Sequence, residues 1–102
     1  MKQIEQGDIL VATWGYDAAI SDFYVVLKRT PKTVELAHLR THEQPLGNYY
    51  TDGWSATPTD VVDGKPFRRR VASYDGEEYV GISSYANAYL WNGKPVHNFN
   101  WH

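Results

Sequence analysis

Cysteine is absent from this 102-residue chain, which excludes disulfides, thiol catalysis and Cys-ligated zinc and fits a reducing compartment, so a cytoplasmic location is expected. No apolar run approaches the roughly 18 residues of a membrane span, and the opening MKQIEQGDIL has no long apolar stretch behind its lysine; no membrane association is expected. An excess of positive charge is also missing. With 10 Lys and Arg against 12 Asp and Glu the net charge is −2, so the global field does not attract duplex DNA and any anion site has to be local. No stretch of about ten residues repeats at the helical period, and there are no internal repeats or low-complexity tracts.

The motifs of catalysis are missing as well. Ser21, Ser55, Ser73, Ser83 and Ser84 lack a Gly-x-Ser-x-Gly setting, and there is no glycine-rich phosphate loop or paired-carboxylate motif. His38 and His42 lie four apart on a strand leading into a loop, where they share no helical face, and His97 and His102 have no carboxylate at metal-ligand spacing. A protein without catalytic residues, metal or cofactor is the expectation.

What the chain does have is aromatic side chains. They make up 15% of it, with eight Tyr and four Trp, in a sequence 42% hydrophobic and 22% charged. That composition supports one domain with a single core. Rings that are apolar at one end and polar at the other suit contact with a partner, and they equally suit the core of a small β domain.

The stretch from Leu10 to Leu36 organises the rest. Ile9–Trp14 is apolar on both faces and reads as a strand covered on both sides; Gly15–Ser21 reads as an irregular loop; Asp22–Arg29 is a strand ended by the turn Thr30-Pro31-Lys32. Thr33–Arg40 alternates, with Val34, Leu36 and His38 on one face. Residues 41–58 lack a clean period and read as a long loop, with a short strand over 48–51 and another over 59–62. Phe67–Ser73 and Glu78–Ser83 form a hairpin about Tyr74-Asp75-Gly76, Ser84–Leu90 fits either a helical turn or a strand, and Asn92-Gly93 marks a second hairpin between 89–91 and 94–96. The expected fold is all-β: a small, mostly antiparallel barrel or strongly curved sheet, like a Src-homology-3 barrel in its first three strands, with at most one short helix.

Trp-Gly-Tyr-Asp at 14–17, Asp-Phe-Tyr at 22–24, the arginines at 68–70 and Leu-Trp-Asn-Gly-Lys-Pro at 90–95 resemble a family of short bacteriophage and mobile-element proteins. These open with Trp-Gly-Tyr-Asp-Gln-Thr and close with Trp-Asp-Gly-Lys-Pro. The chain departs from that pattern at Ala18, Ala19 and Asn92. The resemblance implies a phage or mobile-element origin rather than a particular activity; by class analogy, proteins of this kind sequester a nucleotide signal or inhibit a host factor.

Three sets of residues are candidates for binding. Trp14, Tyr16, Asp17, Asp22 and Tyr24 sit on or beside the first loop, where rings can wall a pocket and a carboxylate can accept hydrogen bonds; the same residues also fit core and turn roles. Arg68 and Arg70 share one strand face about 7 Å apart, a spacing suited to phosphate, while Arg69 points away. They equally suit a charged, protected edge strand. Tyr85, Tyr89 and Trp91, with Phe99 and Trp101 and interleaved asparagines, can stack on a base or pack a hairpin onto the barrel. The leading expectation is a counter-defence protein that sequesters a small anionic, nucleotide-type ligand. The alternatives are a protein inhibitor of a host nuclease or defence complex, with the 41–58 loop in its interface, and an RNA or single-stranded DNA binder. The excess of rings also fits a homodimer.

Overall fold

The computed structural model describes residues 3–15, 18–48 and 52–100. Among them eight strands form an all-antiparallel structure: β1 (Ile9–Trp14), β2 (Ala18–Arg29), β3 (Thr33–Pro45), β4 (Trp54–Val62), β5 (Phe67–Tyr74), β6 (Glu77–Ser83), β7 (Ala86–Leu90) and β8 (Val96–Asn100). They close into a ring in the order β1-β2-β8-β4-β3-β5-β6-β7, and a direct β2–β3 pairing crosses it. That rung divides the ring into two. A six-strand barrel runs β1-β2-β3-β5-β6-β7, and a smaller ring runs β2-β8-β4-β3.

The division explains why the first strands are apolar on both faces. Leu10 and Ala12 of β1, Tyr24 and Val26 of β2, and Val34 and Leu36 of β3 point into the larger barrel, where they meet Val80, Ala86 and Ala88. The opposite faces, with Ile9, Val11, Phe23, Val25 and Leu39, pack against Ala56 of β4, Val96 of β8 and Trp91. β2 and β3 belong to both rings, and Ile9 and Val11 of β1 are half-buried against the smaller core beside them, so the side chains of these strands need not alternate apolar with polar.

Several expectations are corrected. The long loop over 41–58 is not one: β3 continues to Pro45, and its pairs Thr41↔Pro58 through Pro45↔Trp54 make a hairpin with β4 that absorbs the brief strand expected at 59–62. The polar run 42–45 is exposed, which hid the strand, because the backbone ladder holds it rather than a buried face. Of the strand expected over 48–51, Asn48 is a bend and residues 49–51 lie outside the described ones. The turn after β1 is tighter than expected, since Trp14↔Ile20 and Thr13↔Ser21 are already paired. Ser84–Leu90 is resolved as a turn followed by β7, and no helix among the described residues is long and apolar enough to cross a membrane.

The Asn92-Gly93 pair turns the chain, with Gly93 at φ +83° and the Lys94 amide donating to Asn92 Oδ1, yet it does not join a hairpin. Both edges of β7 are taken, by β1 and β6. β8 therefore crosses to β4 and β2, and Pro95, lacking an N–H, breaks the ladder before it. The crossing is tight: a Cβ on Gly53, at φ +77°, would collide with the Asn98 carbonyl oxygen.

Candidate functional site

The two ends of the six-strand barrel are built from different chemistry. β1, β3 and β6 run towards one end, and β2, β5 and β7 leave it. Along their inward-facing positions the side chains change as that end is approached: Leu10 and Ala12 give way to Trp14, Val26 to Tyr24 and Asp22, Val34 and Leu36 to His38, Val71 to Arg69 and Phe67. Alternation that builds an aliphatic core at mid-barrel thus presents aromatic and ionisable groups at its mouth.

Here Trp14, Asp22, Tyr24, Ile82 and Tyr85 line a cleft of about 160 Å³. Asp22 is its electrostatic centre. Trp14 Nε1 donates to Asp22 Oδ2 at 2.6 Å, and His38 Nε2 lies 3.4 Å from Asp22 Oδ1. The other ring nitrogen of His38 is 3.9 Å from Asp63 Oδ2, so the imidazole stands between two carboxylates. Tyr24, paired across the strands with His38, packs edge-on against it at 5.4 Å and against Phe67 at 5.8 Å. Burial holds the Tyr24 hydroxyl above its ordinary pKa; the Asp22 and Tyr85 charges add to that and Arg69 opposes it. The Arg69 guanidinium lies 4.7 Å over the Phe67 ring, an attractive cation–π position. Tyr85 is 74% exposed and meets Trp14 edge-on at 6.5 Å, so two rings stand free at the rim while Tyr24 forms the floor.

The structure therefore brings Trp14, Asp22, Tyr24 and Tyr85 together. Tyr16 and Asp17, between them in sequence, lie outside the described residues. Arg68 and Arg70 do not join this cleft: Phe67 and Val71 pack against the core, which puts Arg69 on their face and its two neighbours on the outer one. The expectation that Arg69 points away from the site is reversed. The apolar residues two places either side of Arg69 already carried that parity. His38 was likewise legible, as a polar residue on the face of Val34 and Leu36. Tyr89 also faces outward, stacked on Tyr79 at 5.5 Å. Trp91 packs edge-on against Phe23 at 5.7 Å and donates to the Lys94 carbonyl; it closes the smaller core.

Outside the sheet β1-β2-β3 lies a second, apolar hollow of about 520 Å³, bordered by Ile9, Val25, Leu27, Leu39, Val62 and Trp91. Among the described residues no group of three or more His, Cys, Asp or Glu is placed to hold a metal ion. Comparison with family models, curated proteins and solved structures finds no match to this chain.

Proposed function

We propose that this is a non-enzymatic binding protein whose barrel mouth holds one planar, hydrogen-donating ring of a small nucleotide-type ligand. The observation that carries the reading is the cleft, in which three aromatic side chains surround a carboxylate that retains acceptor capacity. At about 160 Å³ it is below the roughly 300 Å³ of sites that enclose a drug-sized molecule. A single ring enters and the remainder of the ligand stays outside. Trp14 and Tyr85 stack on that ring, Asp22 accepts from its N–H, and Arg69 is the cation on the mouth face available to a phosphate. Sequestration of a nucleotide signal in the host cytosol is the role that fits the resemblance to short phage proteins.

A nucleotide panel at millimolar concentration, read by thermal shift and calorimetry, tests this. A ligand at about 100 times its Kd stabilises the fold by about 2.7 kcal/mol, and Asp22→Asn is expected to weaken it at least tenfold. No shift with any member of the panel ends the proposal. A second reading, inhibition of a host protein, draws on the apolar hollow and the exposed Leu27, Val61 and Val62 beside it. A Leu27→Asp/Val61→Asp variant that still inhibits its target equally well would remove that support.

A further inference from the structure

We infer that the outer face of β5-β6-β7 is a docking surface for single-stranded nucleic acid, separate from the mouth and independent of what binds there. The register sets out the face. Val71↔Val80 points inward, with Val80 fully buried, so the flanking rung Ala72↔Tyr79, and Tyr89 opposite Tyr79, point outward. The same parity places Arg68, Arg70 and Tyr74 outward on β5, and Asn87 outward on β7 opposite Gly81. Three tyrosines, two arginines and an asparagine thus share one sheet face, with one carboxylate, Glu77 opposite Tyr74, at its far end. Ala72 and Gly81 between them leave the surface flat enough for bases to lie on it.

Each component has a role in single-strand recognition. Tyr74 is 78% and Tyr89 41% exposed, and Tyr79 and Tyr89 are already stacked with their planes 30° apart, a platform onto which bases add. Arg68 and Arg70 form no ion pair among the described residues. At about 3.3 Å per strand residue they are some 7 Å apart, close to the step between successive phosphates of an extended strand. Asn87 can hydrogen-bond a base edge.

The charge around the face is complementary to a polyanion even though the whole chain is acidic. Lys28, Lys32, Lys65, Arg68 and Arg70, five of the ten basic residues, fall on the β2–β3 turn region and the start of β5, while Arg29 is taken up by Glu78 and Arg69 lies on the inward face. The structure sets these side by side: the Val71 amide donates to the Lys32 carbonyl, and Lys28 and Arg68 flank Glu35 from either side. Glu35 is thereby outnumbered by its neighbours. Duplex DNA does not suit such a face, because its bases are not free to stack on the tyrosines.

Fluorescence anisotropy with labelled 12-nucleotide RNA and DNA single strands, and a duplex of the same length, at 50 and 200 mM salt tests the inference. Binding of a single strand well above the duplex is expected, with the RNA and DNA arms showing which sugar is preferred. In Arg68→Ala/Arg70→Ala the slope of log K against log salt should fall by about 1.4, the value for two lost phosphate contacts at about 0.7 each. Tyr74→Ala and Tyr89→Ala should each lower affinity about tenfold. Asp22→Asn, at the mouth, should leave oligonucleotide binding unchanged. No binding at 50 mM salt, equal affinity for duplex, or a salt slope unaltered in the double arginine variant of unchanged melting temperature would overturn the inference.

Discussion

The two ends of the six-strand barrel start from the same strands and finish differently. At the end opposite the mouth the chain is its own plug. Ile4 is buried in the core, its amide donates to Glu78 Oε1 at 2.8 Å, and its carbonyl accepts from Arg29 Nη1 at 2.8 Å. Arg29 closes the seal with two hydrogen bonds to the Glu78 carboxylate, at 2.8 and 3.0 Å. Both side chains are about four-fifths buried, and each steadies the charge of the other, raising the pKa of Arg29 and lowering that of Glu78. At the mouth the ionisable groups are instead arranged around a cleft, and Asp22 keeps a third of its side chain open to solvent. Satisfied charges at one end contribute stability. Accessible ones at the other contribute chemistry.

That contrast predicts where substitutions act, and the largest effect belongs to the plug. Ile4→Ala should cost about 2–5 kcal/mol, since it removes buried methyls and leaves a cavity, and denaturant unfolding should show it with ligand affinity at the mouth unchanged. Glu78→Gln follows, at about 1.5–3 kcal/mol for a charge-assisted bond left half made. Its pH dependence has a definite sign. Because folding lowers the Glu78 pKa, the contribution is present above the unfolded value near 4.3 and disappears as pH falls through the lower folded value, so the variant should lose part of the wild-type acid limb of stability.

The mouth should behave the other way. Asp22→Asn is expected to change the melting temperature by a few degrees at most while reducing ligand binding at least tenfold; a larger loss of stability than in Glu78→Gln would erase the distinction between the ends. The smallest expected effect is that of Tyr24→Phe. Its raised hydroxyl pKa means that the neutral form contributes stability which is complete below about pH 10 and is lost as pH rises towards the folded value. Ultraviolet titration should therefore lose one late-ionising tyrosine in the variant, with stability at neutral pH nearly unchanged.

Much of the mouth was legible because it obeys strand periodicity. Ala12-x-Trp14, Asp22-x-Tyr24 and Leu36-x-His38 each carry an inward apolar position two residues from a polar or aromatic one, and Trp14, Asp22, Tyr24 and Tyr85 were singled out on residue type alone. Arg69 was misplaced because the three arginines were read without their apolar neighbours Phe67 and Val71. The exposed part of β3 went unrecognised because residues 42–45 have no buried face to impose a period.

The sequence by itself determined that the chain is all-β, that its first strand is apolar on both faces and where most of its turns lie, since these follow from side-chain period, β-branched and aromatic content and the backbone needs of Gly, Pro and Asn. Only the tertiary structure decided that one aromatic-rich set of residues divides between a cleft and an outer sheet face, that Trp91 serves a core, and that β8 leaves the Asn92-Gly93 turn for β4. These depend on which strand edges are already occupied and which inward positions converge, and both are properties of the closed ring rather than of any segment in it.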